Sequence, residues 1–185
     1  MTTEALLTRS NRIKRNTSLT APFSEGLLEY TGIWETAQVV HLLKRTLFGA
    51  KPQDIAYFKT RTMQEAVDEL LQPTAAPSNY PLNNYSGGGY TDPTGVAPWQ
   101  TWINTGIALA DKDLNERRVE SFKTWWLGQA LNPARSIHEK LMVFWHNHFA
   151  TDTGTALDKI KARFWYDHYI ALRQHALGNF KSMAK

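Results

Sequence analysis

Apolar positions recur along this chain at the spacing of helical turns, and no stretch alternates for long as a half-buried strand would. The first pattern is IWETAQVVHLLKRTLFG, where Val39, Val40, Leu42, Leu43 and Leu47 form a wide apolar stripe and Gly49 suits the position past a helix end. AKPQDIAYF then places Pro52 in a first helical turn. Thr62-Met63-Gln64-Glu65 reads as a capping box opening a helix that carries Val67, Leu70 and Leu71 and stops at Pro73. Later, LNERRVESFKTWWLGQALN brings Val119, Phe122, Trp126 and Leu127 close to one face and ends at Asn132-Pro133. A second capping box, Ser136-Ile137-His138-Glu139, fixes a helix start at Ser136 and assigns Glu139 to the cap. The apolar run Leu141–Trp145 that follows predicts a deeply buried helix. A last helix lines up Phe164, Trp165, Tyr169 and Leu172 and closes at Gly178. The pattern therefore predicts an all-α, irregular multi-helix domain with helices near 34–48, 62–71, 114–131, 136–147 and 158–176.

One segment breaks the pattern. Residues 73–98 hold five of the eight prolines and four of the eleven glycines, which excludes regular helix. A loop this long inside a compact domain is unusual, and it is expected to be functional or mobile, with 75–97 among the least ordered parts. Tyr80, Tyr85 and Tyr90 recur through it. They either anchor the loop or present rings to a sugar or peptide, and anchoring is the commoner use of a half-buried tyrosine.

Composition narrows the classes. The 185 residues, 42% of them hydrophobic, suffice for one domain with a core. Cysteine is absent, which excludes disulfides and thiolate metal sites. No apolar run reaches the ~20 residues of a membrane span. The first residues carry no continuous apolar stretch, so the expectation is a cytoplasmic protein led by a flexible basic arm over residues 1–25. Of the formal charge of +4, residues 1–20 contribute +3 (Arg9, Arg12, Lys14 and Arg15 against Glu4), leaving +1 on the rest. A nearly neutral body has no basic stripe to track phosphates, so nucleic acid is not an expected partner.

The candidate chemistry lies in FWHNHF, Phe144–Phe149. In a continuous helix residues two apart point in nearly opposite directions, so His146 and His148 would not share an ion. If the helix ends near Asn147, His148 leaves the helical path, and both rings can face a polar pocket with His168 or His175 nearby. Phe144 and Trp145 are then expected to be mostly buried. The spacing is not that of a helical zinc protease, and no β-hairpin precedes it to build a ββα-metal nuclease. DTGT at Asp152–Thr155 lies between helices, where these are ordinary turn residues, rather than on the strand turn an aspartic protease requires. His146 and His148 are the candidate catalytic residues, and His146, His148, His168 and His175 the candidate ligands of a divalent metal. The plainer alternative is an aromatic core whose histidines are satisfied by hydrogen bonds.

The segments VVHLLKRTLFGAKPQDI, WWLGQALN, SIHEKLMVFWHNHFAT and LRQHALGNF, in this order, resemble the bacterial domain of unknown function 1800 family from about Trp34 onward. That resemblance implies an all-helical protein, usually longer, whose second half carries an acidic element. On it, the chain is an N-terminal fragment comprising the helical part over 26–185, and the face bearing Trp165 and Leu172 awaits a partner from the missing half. Members are often exported and often encoded beside a sulfatase-like protein, which is the implied partner. The expected function is part of a metal- or histidine-dependent hydrolase-like enzyme, completed by that second half. The alternative is a non-catalytic helical scaffold or protein-interaction domain.

Overall fold

A computed structural model describes residues 30–106, 111–151 and 160–184. The expected basic arm over 1–25 and the first residues of the expected last helix, 158 and 159, lie outside these. Before the body, residues 30–33 form a turn in which the Tyr30 hydroxyl donates to the Ile33 carbonyl at 3.1 Å. The body begins at Trp34.

Its helices are α1 (Thr36–Thr46), α2 (Pro52–Lys59), α3 (Met63–Leu70), α4 (Lys112–Leu131), α5 (His138–His148), α6 (Ala162–His175) and α7 (Phe180–Met183). Among the described residues there is no sheet, only isolated bridges pairing Leu82 with Thr101 and Gly87 with Tyr90. The protein is all-α, as its periodicity predicts. The box at Thr62 forms as the sequence implies: Thr62 Oγ1 accepts from the Glu65 N–H at 3.2 Å, and Glu65 answers the Thr62 N–H at 2.8 Å. The short α7, capped by Asn179 accepting from the Lys181 N–H, has no counterpart in the apolar pattern because it is only four residues long.

The second box does not form. Helix α5 starts at His138, and Ser136 turns its hydroxyl to the Gln72 carbonyl at 2.7 Å. Glu139 is drawn instead to Arg173 across the interior. A buried guanidinium competes better for a carboxylate than an N-terminal amide does, because both charges would otherwise be desolvated alone.

Two apolar cores result. Helices α1–α3 enclose Val39, Leu43, Leu47, Phe58, Ala66 and Leu70. Helices α4–α6 and the segment after residue 95 enclose Val96, Trp102, Val119, Phe122, Met142 and Tyr169, among others. They are joined by polar bonds: the Ile137 N–H donates to the Leu70 carbonyl at 2.8 Å, and Lys140 Nζ caps the end of α1 through the Lys44 and Leu47 carbonyls. In α4 Val119 and Phe122 are buried as the pattern predicts and Trp126 packs partly buried against the same core, but Trp125 is buried as well and Leu127 is 58% exposed, contrary to the one-faced pattern. The helix is central, so it buries residues toward both the loop and α6. Helix α5 is likewise not buried all round, with Phe144 57% exposed and only His138, Glu139 and Met142 buried. The Trp165–Leu172 face of α6 awaits nothing: both residues are buried in the second core.

The segment over 73–98 is packed rather than loose, which corrects the expectation for 75–97. Asn83 and Asp92 are buried. Asn83 Nδ2 donates to the Val96 carbonyl at 2.7 Å, and its Oδ1 accepts from the Ser86 N–H at 2.9 Å. Asp92 accepts from Arg118 at 3.1 Å, from the Tyr85 hydroxyl at 2.8 Å and from Thr94. Side chains thus satisfy the backbone and each other where no ladder exists. All three tyrosines touch the body: Tyr85 through Arg118, Tyr90 under the Arg117 guanidinium, and Tyr80 against Tyr166.

Arg118→Ala would leave the Asp92 carboxylate buried without its counter-charge, and urea unfolding should show a loss of about 3–5 kcal/mol. Lys123→Ala, which removes the exposed pair with Glu120, should cost less than about 1 kcal/mol. Equal losses for the two would mean that the Asp92–Arg118 pair does not hold the loop.

Candidate functional site

Helix α5 runs unbroken through His148 and ends at Phe149, whose N–H donates to the Trp145 carbonyl at 2.8 Å. His148 therefore stays on the helical path, and the two histidines leave by different flanks. His146 faces α4 and α6, its ring 4.9 Å from Trp126, 5.9 Å from Trp165 and 6.0 Å from His168. His148, an exposed residue, lies against Phe149 at 4.9 Å and Phe180 at 6.3 Å. His175 is seven residues beyond His168 on α6, about 10 Å along the axis. Of the four sequence-predicted histidines, the fold brings together His146 and His168, and sets His148 and His175 apart from them.

The environment of this pair suits chemistry. Both rings have their pKa lowered by burial, His146 additionally by the charge His168 would carry. Both are therefore neutral imidazoles at neutral pH, the form that ligates metal or accepts a proton. His168 is hydrogen-bonded to the backbone of Phe149, while its Nε2 is buried and has no partner among the described residues. A ring nitrogen that donates to a carbonyl fixes the tautomer and leaves the other nitrogen with its lone pair. Beside it, Trp165 Nε1 is a second buried atom without a partner among the described residues. The two rings that neighbour His146 thus each carry a buried ring nitrogen without a partner among the described residues, and buried polar atoms are seldom left so. Among the described residues no group of three His, Asp or Glu side chains converges as a metal cage. Two imidazoles are what this corner supplies.

A second polar cluster was not apparent from sequence. Arg173 Nη1 donates to Glu139 Oε1 and, at 3.2 Å, to the Tyr169 hydroxyl. Its Nη2 donates to Thr74 Oγ1 at 2.6 Å and to the Ala75 carbonyl at 3.1 Å. His138 Nδ1 accepts from the Thr74 N–H at 3.1 Å, which forces the proton onto Nε2, the atom 2.8 Å from the Arg173 carbonyl. Thr74, Ala75, His138, Glu139 and Arg173 edge a cavity of about 140 Å³. Burial lowers the His138 pKa and raises that of Tyr169, so both are held neutral. The signal in the sequence was Glu139 and Arg173 on two apolar helices, each without a charge partner in its own helix. Their pairing across the core could not be read locally.

A family model described as protein of unknown function (DUF1800) matches residues 41–185. No curated protein and no solved structure matches the chain.

His138, His146 and His168 all have pKa values below the ordinary histidine value in the fold. The unfolded chain takes up protons near pH ~6.5 before the folded one does, so stability should be level above that and fall on acidification toward pH ~5. His138→Gln, which keeps an acceptor and a donor, should shrink that dependence. Melting temperatures measured from pH 8 down to 5 provide the check, and stability that rises on acidification would refute the assignment.

Proposed function

The chain belongs to the family of proteins of unknown function DUF1800, and from the geometry of the histidine corner we propose that it contributes His146 and His168 to a divalent-metal centre of hydrolase-like type. The observation that carries this is the buried Nε2 of His168, without a partner among the described residues, on a ring centred 6.0 Å from that of a second neutral imidazole. Imidazole nitrogens bind zinc-like ions at about 2.0–2.1 Å, and catalytic sites combine a few protein ligands with a water held in an open position. Such an ion lowers the pKa of its water and so supplies a nucleophile at neutral pH. The remaining ligands come from outside the described residues, carboxylates being the natural complement to two imidazoles. Trp165 Nε1 is suited to donate to an oxygen held at this corner.

A second reading, a helical interaction module, is favoured by a separate observation. Trp145, Phe149 and Phe180 stack along α5 and α7, with Phe180 51% and neighbouring Phe144 57% exposed. Aromatic rings grouped at a surface are the usual anchors of protein interfaces.

Calorimetric titration with Zn²⁺ and optical titration with Co²⁺ separate the two. The metal-centre reading expects one ion bound, with His146→Ala and His168→Ala each weakening affinity by more than about ten-fold, as loss of a directing group does at established sites. His148→Ala should leave the affinity unchanged. Absence of binding, or binding indifferent to His146 and His168, would leave the interaction module as the better reading.

A further inference from the structure

On the other side of α4 from the histidine corner, the packed loop and the helix border an open groove of about 420 Å³, a volume ordinary for a ligand site. Its walls include Tyr80, Leu82, Asn84, Trp99, Gln100 and Thr101. Trp99 is 69% exposed, the most exposed of the large hydrophobic side chains among the described residues. It is also the one residue other than glycine with a positive φ, 65°, among the described residues. A bulky side chain rarely adopts that conformation, and it persists only where the surroundings over-determine it. Here they do. The Trp99 N–H donates to the Asn83 carbonyl at 2.8 Å, and the Asn83 N–H donates to the Gln100 carbonyl at 2.8 Å, while the Asn83 side chain is locked inside the loop. The fold thus fixes the Trp99 backbone and leaves its indole in the open, where the ring makes no ring contact or hydrogen bond of its own among the described residues.

The polar groups beside the indole indicate what it faces. The side-chain amides of Asn84 and Gln100 are exposed and make no hydrogen bond within the protein among the described residues. Amides offer a donor and an acceptor together, the complement of adjacent hydroxyls. No charged side chain lines this groove among the described residues, so no counter-ion awaits an anionic or cationic ligand. A smaller depression of about 320 Å³ continues it through Asn84, Ser121 and Thr124, and is lined also by Asp113, Glu116, Glu120 and Arg117. The groove is therefore elongated, and its far end repels polyanions.

We propose that this groove binds a neutral oligosaccharide, with the Trp99 indole stacking on the apolar face of a sugar ring and the Asn84 and Gln100 amides bonding its hydroxyls. The backbone that carries the indole is already fixed, so only two side-chain torsions are ordered on binding, which keeps the entropic cost of stacking small. The site is independent of the histidine corner and does not need a metal.

The test is calorimetric titration with cellohexaose, maltohexaose and mannohexaose, with tetragalacturonate as the acidic control and a decaproline peptide as the alternative aromatic-groove ligand. At least one neutral hexasaccharide should bind with a Kd below about 1 mM. Trp99→Gly, chosen because glycine accepts the positive φ, should weaken it at least about ten-fold without lowering the melting temperature. Gln100→Ala and Asn84→Ala, at exposed positions, should each weaken it by a smaller factor, and they carry the test if the Trp99 variant fails to fold. His146→Ala should have no effect. Failure of all three neutral sugars to bind overturns the proposal, as does affinity unchanged in these groove variants. Binding of tetragalacturonate or decaproline in their place overturns it as well.

Discussion

The Glu139–Arg173 ion pair governs how the second half of the body is assembled. Two charges are removed from water there, and such a pair is tolerable only when its remaining valences are met. They nearly all are: Tyr169, Thr74 and the Ala75 carbonyl surround the guanidinium, and His138 bridges Thr74 to the Arg173 backbone. Arg173 Nε alone has no partner among the described residues. The network locks the start of α5 to the end of α6 and draws in the chain that leaves α3. Because helices are stiff, fixing one end fixes the register along the rest. His146, about two turns further along α5, is thereby set opposite His168, just over one turn back along α6.

A second buried pair, Asp92 with Arg118, plays the same part for the long loop. Burial alone would oppose ionisation of Asp92, but bonds from Thr94 and Tyr85 and the Arg118 charge outweigh it, and its pKa is lowered. A segment with almost no regular structure is thus tied to α4 by charge, then closed by the Asn83 side chain. That anchorage explains how a Pro- and Gly-rich stretch can hold Trp99 at a positive φ in the open. A loose loop would relax the strain and let the indole find apolar cover.

The aromatic residues divide by the same logic. Phe122 and Trp125 each meet Tyr169 edge to face inside the core, where ring geometry adds to burial. Phe144 and Phe180 lie outside because α5 is covered on one flank only. The histidines follow their helix: the flank that carries His146 inward necessarily carries His148 outward. Membership in a family of unknown function adds no chemistry to this arrangement, so the assignment rests on the corner itself.

What the sequence by itself determined is whatever depends on near neighbours. Helix spans followed from apolar spacing, the Thr62 cap from four consecutive residues, and the exclusion of helix over 73–98 from proline and glycine. Even locally the outcome depended on competition. The Ser136 box had the same hydroxyl-x-x-Glu pattern as the Thr62 box and failed, because Glu139 had a better partner 34 residues away. The Arg118–Asp92 bond, at a separation of 26, and the meeting of His146 with His168 are of the same kind. Two histidines one residue apart in FWHNHF suggested a site, yet helical geometry sends them to opposite flanks, and one finds its companion on another helix. Side-chain partners across a core are chosen by packing and by the cost of leaving a charge or a ring nitrogen alone, and only the tertiary structure decides which are brought within reach.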